Sequence, residues 1–307
     1  MRNKKTTVTI GLSAYNEEAN IGNLLQSILS QKEDGFTLKK ILVVSDGSTD
    51  NTVNILRSFK NSKVKVINSK VRLGQPTRLN QIYSLFNSDY LIQTDADAIF
   101  SHKNVIKYVV EAFSRNRRVA MIGGDVTPIK PKNLVQKAIF ASNAFYKALG
   151  EEINKGNNIF TVNGPFLAYR HDFVKAIRLP KDIIASDKFM YLKCIMLGHK
   201  YKFSKNSGVF FELPLTLRDQ VKQNSRFKVA KKLLTQYFPV EVLQREYRLP
   251  RKLILKRLLI QFVKAPLPLF YIFLINRYCK ILAFYKEKKM SNILWDKLER
   301  TKVVLNH

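Results

Sequence analysis

Between residues 8 and 92, short apolar runs alternate with segments of helical period, and few architectures accept that order. Residues 8–14 read as a strand, broken by Tyr15-Asn16-Glu17-Glu18. Ile21, Leu24, Leu25 and Ile28 then recur at helical spacing and fall on one face. Ile41-Leu42-Val43-Val44 is a continuous apolar run, as a strand covered on both faces requires. Ser48 or Asp50 is placed to cap a second helix carrying Val53, Ile55, Leu56 and Phe59. Residues 64–67 predict a third strand and residues 74–86 a third helix, with Leu79, Ile82, Tyr83 and Phe86 on one face. Tyr90-Leu91-Ile92 opens a fourth strand. This order predicts an α/β fold with a mostly parallel sheet flanked by helices. Ligands of such sheets bind beyond the carboxyl ends of the strands. Three polar clusters fall at that edge: Asn16-Glu17-Glu18, the stretch from Asp46 to Asp50, and Asp95-Ala96-Asp97.

Beyond residue 100 the regularity weakens. A helix is expected over 104–113, a strand over 119–123 and a longer helix over 134–149. Residues 160–169 read as a strand interrupted at Asn163-Gly164-Pro165, and 187–197 as a helix. From Val221 the character changes: residues 221–290 hold 17 Lys/Arg against three Glu, with apolar runs between them. The expected division is a catalytic domain over 1–235 and a basic, apolar C-terminal region over 236–307.

Asp95 and Asp97 carry the strongest chemical signal. In a strand alternate side chains share a face, so both carboxylates can reach a common point. They repel unless a cation or a proton lies between them. Hard oxygen ligands of this kind suit Mg²⁺ or Mn²⁺, which in turn hold substrate phosphates. A lone D-x-D is equally well a solvated turn; its convergence with the other two clusters is what selects the functional reading. The chain has no G-x-G-x-x-G and no P-loop, so the dinucleotide and Walker solutions are excluded. His102, His171, His199 and His307 lack ligand spacing. Cys194 and Cys279 have none either, and read as reduced thiols of a cytosolic protein. Met1-Arg2-Asn3-Lys4-Lys5 resembles the start of a signal peptide, but Glu17 and Glu18 arrive after too short an apolar run.

Together these residues resemble a known family. Ser13-Ala14-Tyr15-Asn16-Glu17-Glu18, Asp46-Gly47-Ser48-Thr49-Asp50, Gly74 followed by Asn80, and Asp95-Ala96-Asp97 resemble the nucleotide-binding half of family 2 glycosyltransferases of GT-A fold. Ser186-Asp187 stands where that family has an acidic pair, and Gln223-Asn224-Ser225-Arg226-Phe227 resembles its Q-x-x-R-W motif. The resemblance implies an inverting transferase that uses a nucleoside-diphosphate sugar, with a lean to UDP, and Mg²⁺ or Mn²⁺. It implies that Asp46 contacts the base, with Ala14, Asn16 and Glu18 around base and ribose. Asp97, helped by Asp95, would bind the metal on the diphosphate, and Asp187 would be the general base. Gln223, Arg226 and Phe227 would line the acceptor and diphosphate region. The departures are Ser186 in the acidic pair, Phe227 for Trp, and Gln75 where Lys is often found.

With 53 Lys+Arg against 23 Asp+Glu, the formal charge of +30 favours a polyanionic partner. A nucleic-acid-binding protein is one reading, but the excess concentrates in the last third and no aromatic-basic module appears. A sugar nucleotidyltransferase of similar fold would need a Gly-rich, basic loop after the first strand, which Ser13-Ala14-Tyr15-Asn16 is not. In 251–264 the pairs Ile254/Leu255, Leu258/Leu259 and Phe262/Val263 recur every four residues between Lys252, Lys256, Arg257 and Lys264. That is a basic amphipathic helix. The apolar run at 265–275 holds Pro266 and Pro268 and is too short to span a bilayer of about 30 Å. The expectation is a peripheral enzyme on the cytoplasmic face of an anionic membrane, with a glycan or lipid-linked acceptor and no nucleic acid.

Overall fold

A computed structural model describes residues 5–264 and 266–286. The first half follows the predicted alternation: β1 (Thr6–Ala14), α1 (Ile21–Leu29), β2 (Phe36–Asp46), α2 (Thr52–Ser58), β3 (Val64–Ser69), α3 (Gln75–Leu85) and β4 (Tyr90–Thr94). The predicted apolar face of α1, made by Ile21, Leu24, Leu25 and Ile28, is fully buried. In β2, Ile41 and Val43 join the core on one side of the sheet, while Leu42 and Val44 join the core on the other. Burial on both faces is why that run lacks polar alternation. Gly11 of β1 lets α3 come close: a Cβ there would stand 2.5 Å from Ile82.

After β4 come β5 (Ala98–Phe100), α4 (Val105–Ser114), β6 (Val119–Pro128), α5 (Leu134–Glu152), β7 (Phe166–Arg170), α6 (His171–Lys175), α7 (Ser186–Met196) and β8 (Lys200–Phe211). The chain continues through α8 (Leu217–Leu233), α9 (Val240–Glu246), α10 (Arg251–Lys264) and α11 (Pro266–Lys286). The eight strands form one sheet in the order β3-β2-β1-β4-β7-β6-β8-β5. The first four are parallel; β7 runs antiparallel to β4 and β6, and β6 is parallel to β8. The mostly parallel sheet flanked by helices is therefore present. α1 and α4 cover one face, and α3 and α7 the other. Phe238 and Leu243 lie in the second core with Phe189 of α7.

Two local expectations are corrected, and one strand is new. β4 stops at Thr94, so Asp95 and Asp97 occupy a turn, closed by Ala98 N–H donating to Asp95 O at 3.4 Å. Strand alternation therefore does not align the pair. Residues 160–169 are not one strand: a 3-10 turn at Ile159–Thr161, capped by the Asn158 side chain, precedes β7. The strand β8 was not foreseen, because Lys200–Phe211 mixes lysines and small polar residues with its apolar positions. Among the described residues no helix is long and apolar enough to cross a membrane.

Candidate active site

The loops after β1 and β2 are laced together by side chains. Asn16 adopts a left-handed backbone (φ 52), which asparagine tolerates better than most residues. Its Oδ1 accepts from Thr49 N–H at 2.8 Å, and its own N–H donates to Ser48 Oγ at 3.1 Å. Glu18 Oε2 accepts from Asn51 N–H at 2.9 Å, and Glu17 N–H donates to Thr52 Oγ1 at 2.7 Å. Ala14, the last residue of β1, is buried. Asn16 and Glu18 thus hold the loops that would surround a base and ribose.

Asp46 ends β2 and is 4% exposed. Its Oδ1 accepts from Leu73 N–H at 2.8 Å and from Arg78 Nε at 2.7 Å, and its Oδ2 from Gly74 N–H at 2.9 Å. The carboxylate thereby fixes the β3–α3 loop, where Gly74 takes φ 87 at the start of α3. On that loop the Arg72 guanidinium stacks 3.9 Å from the centre of the Tyr15 ring. Asn80, one turn further into α3, exchanges two hydrogen bonds of 2.8 Å with the backbone of Leu179.

Asp95 is the centre of the electrostatics. Burial and then the carboxylates of Asp97, Asp187 and Glu17 push its carboxyl well above the usual range, while Arg226 pulls the other way. These groups come from the ends of β4 and β1, the first turn of α7 and the middle of α8. Gln75, the departure noted in the sequence, donates from Nε2 to Asp95 Oδ1 at 3.2 Å. Gly164 backs the same carboxylate: a Cβ there would lie 3.7 Å from Asp95 Oδ2. Burial lowers Arg226 to about 10, against the attraction of Asp95. Gln223 lies one turn before Arg226 on α8, whereas Phe227 is 61% exposed and faces away from the core.

Asp187 sits in the first turn of α7 and does not cap it; the N-cap is Ala185, with no side-chain cap. Its Oδ2 lies 3.6 Å from Lys188 Nζ. Lys188 also donates to the carbonyls of Ile159 and Val162, just before Asn163-Gly164-Pro165. Its ammonium is held below the usual lysine range, by burial first and against the pull of Asp187. Glu17, Gln75 and Lys188 were not singled out from the sequence as site residues. Glu17 had a signal in its position beside Asn16; Lys188 had only its adjacency to Asp187.

Among the described residues no group of three or more His, Cys, Asp or Glu forms a self-sufficient metal cage. The carboxylates crowding Asp95 nonetheless fit a hard divalent ion. Mg²⁺-type ions take one or two protein carboxylates and complete their shell from phosphates and water. The mutual repulsion around Asp95 is what such a charge would relieve. Asp97 and Asp95 are the residues that would hold it.

A mostly parallel sheet whose carboxyl edge gathers aspartates from separate elements is the arrangement of an α/β enzyme with its site at that edge. A family model described as Glycosyl transferase family 2 matches residues 9–178, and the chain belongs to that family. It is 24% identical over 221 residues to a poly-beta-1,6-N-acetyl-D-glucosamine synthase of Staphylococcus epidermidis, a match covering 70% of this chain and 52% of that protein. It is 28% identical over 178 residues to the O-antigen chain rhamnosyltransferase WbaN of Salmonella anatum, covering 55% of each. The chain thus spans about half the length of these curated relatives. Among solved structures, it resembles the mannosyltransferase PcManGT from Pyrobaculum calidifontis in complex with GDP-Man and Mn²⁺. That likeness has a TM-score of 0.59 and 15% identity, over 94% of this chain and 76% of that one. S. aureus TarS 1-349 in complex with UDP-GlcNAc gives a TM-score of 0.54 and 16% identity, over 73% and 66%. These likenesses establish the GT-A fold.

Proposed function

We propose that the chain transfers a sugar from a nucleoside-diphosphate sugar, UDP-linked by preference, to a hydroxyl of a glycan or lipid-linked acceptor. The observation that carries this reading is the convergence of Asp95, Asp97, Asp187, Glu17 and Arg226 at one sheet edge. The solved relative in complex with UDP-GlcNAc supports the lean to UDP, and the one with GDP-Man and Mn²⁺ supports a divalent ion. In the proposed step the acceptor oxygen attacks the anomeric carbon from the face opposite the leaving group. The bond from that carbon to the β-phosphate oxygen breaks, the nucleoside diphosphate departs, and the configuration inverts. Asp187 takes the acceptor proton, since a hydroxyl far above neutral pKa needs a carboxylate within hydrogen-bonding reach. Arg226, on α8, pairs with the diphosphate as negative charge grows there. Asp97 and Asp95 hold the Mg²⁺ or Mn²⁺, which supplies Lewis-acid neutralisation of that charge when bound. The Asn16, Glu18 and Asp46 loops shape the nucleoside pocket.

The enzyme works on a membrane surface in this reading, because α10 and α11 present Lys, Arg and exposed apolar residues together. The test is a screen of UDP- and GDP-sugars for Mn²⁺-stimulated release of nucleoside diphosphate, with NMR of the product's anomeric configuration. Asp97→Asn is expected to lower turnover by about 10²–10³-fold or more, the loss of a principal charge-stabilising contact. Full activity of that variant in EDTA ends the metal-dependent reading. A retained anomeric configuration ends the role of Asp187 in single displacement.

A further inference from the structure

A groove of about 370 Å³ opens between α5, α10 and α11. Its walls include Phe145 and Tyr146 of α5, Leu258 and Phe262 of α10, and Phe270 and Phe273 of α11. Apart from Ser142, Gln261 and the Tyr146 hydroxyl, the lining side chains are apolar, so the groove favours an occupant that is largely free of polar groups. Apolar surface continues past the rim: α10 buries none of its residues, and Leu259 and Val263 are 69% and 83% exposed. Contiguous exposed apolar area of this kind marks a binding surface.

The groove is linked to the site through the elements that build it. Lys147, next to groove-lining Tyr146, pairs with Asp125 and donates to Thr127 Oγ1 at 2.8 Å, near the carboxyl end of β6. β6 and β4 are both antiparallel to β7, so they point the same way, and this is the edge at which β4 delivers Asp95. α11 also packs against α8, the helix that carries Arg226. α10 also carries exposed Lys252 and Lys264, while its Lys256 and Arg257 pair with Glu152 of α5. A second copy of the chain would bring another +30 against it and is repelled.

We infer that this groove seats the hydrocarbon chain of a lipid-linked acceptor with an anionic head group, and that the chain positions its head beside Asp187. The inference deepens the glycosyltransferase reading and rests on it. The apolar walls take the chain, and the exposed lysines of α10, Lys252 and Lys264, take the anionic linkage. Each further buried methylene is expected to tighten binding about four-fold, so longer chains bind better until the groove is full.

Photolabelling of the full chain tests this, using a long-chain alkyl glucoside with a terminal diazirine as probe and a prenyl phosphate as competitor. Adducts are expected on peptides covering 141–146 and 266–273, displaced by the prenyl phosphate and reduced several-fold by Ser142→Trp, which fills the groove. Phe273→Asp, an exposed position, is expected to reduce them likewise, and circular dichroism of both variants checks folding. Adducts confined to the outer residues Leu255, Leu259 and Val263, unchanged in both variants, overturn the inference and leave a general membrane contact. Displacement by an acidic amphipathic peptide but not by prenyl phosphate overturns it in favour of a protein partner. Nucleoside diphosphate release by the wild type is measured in parallel. Its absence would defeat the glycosyltransferase reading, whereas an unlabelled groove with normal release defeats the groove alone.

Discussion

Asp46 and Arg78 bury a charge pair whose side chains are both only 6% exposed, and each atom of the Asp46 carboxylate is already engaged. Removing one partner strands the other away from water, which costs about 3–5 kcal/mol. Asp46→Ala is therefore expected to destabilise the fold by that amount in urea unfolding. Asp46→Leu with Arg78→Met recovers much of it; equal losses in the single and double variants would show that the pair is not the cause. Lys188 makes a different prediction, because it joins Asp187 to the carbonyls of Ile159 and Val162 beside the Gly164 loop. Lys188→Met is expected to lower kcat about ten-fold with donor KM little changed, since the effect lies in aligning groups for the transition state. Lys188→Arg restores part of the loss, and a fall in donor affinity instead would reassign Lys188 to nucleotide binding. The residues that converge on Asp95 were legible where a motif carried them: Asp95, Asp97, Asp187 and Arg226 all lie in its field. What one dimension hides is the division of labour. Asn16, Glu18 and Asp46 spend their side chains on backbone N–H groups of neighbouring loops, up to 33 residues away in sequence. No spacing rule reveals such partners, and none reveals that Gln75 reaches Asp95 across 20 residues.

At the scale of elements, α10 is tied to α5 by ion pairs as well as by contact. Lys256 Nζ lies 2.8 Å from Glu152 Oε1 and Arg257 2.6 Å from Glu152 Oε2, while α10 buries no residue. These two partners hold the Glu152 carboxyl below its ordinary value of 4.5. A carboxylate depressed in the folded state stabilises the contact fully above that ordinary value, and the contribution fades as pH falls through the folded one. Hydrogen exchange over residues 251–264 is thus expected to speed up on acidification below about pH 4.5, and in Glu152→Gln at neutral pH. Exchange insensitive to both would mean that the apolar groove alone holds α10. Elements from β1 to β4 were legible because each buries a face of one period: 3.6 in α1, continuous in β2. Later elements were legible only in part: α4, β6, α5, α7 and α10 stand where they were expected, whereas β8 and α8 were missed, and the reasons are local. β8 carries Lys200, Lys202 and Lys205 on a strand with exposed positions, so its apolar signal is diluted. α8, with Asp219, Lys222, Arg226, Lys228, Lys231 and Lys232, lacks an apolar stripe and buries only Gln220, Ser225 and Ala230. Its helix is started by Thr216, whose side chain accepts from Asp219 N–H.

Charge is a property of the whole molecule, and its distribution decides which polyanion it meets. Of the +30, a disproportionate share lies in residues 221–290, with 17 Lys/Arg against three Glu. The same region contains Leu255, Leu259, Phe262, Val263, Leu267, Phe270 and Phe273, all more than half exposed. Nucleic acid would satisfy the charges and leave this apolar surface in water. An anionic bilayer would satisfy both: each Lys or Arg near its surface would contribute about 1 kcal/mol, and the side chains of Leu and Phe would enter the acyl boundary. Two components of different origin respond differently to salt. The Debye length shrinks from roughly 10 Å at 0.1 M to 3 Å at 1 M, which screens the ionic part and leaves apolar insertion intact. The protein is therefore expected to sediment with anionic vesicles, to bind neutral vesicles far less, and to release only in part at high salt. Leu259→Glu with Val263→Glu should enlarge the fraction released at high salt, because two of the most exposed apolar anchors are lost. A single-stranded oligonucleotide is expected to compete weakly at low salt and not at all at physiological salt. Protein that stays in the supernatant with anionic vesicles at low salt defeats membrane attachment, and oligonucleotide binding that persists under the same conditions transfers the +30 to nucleic acid.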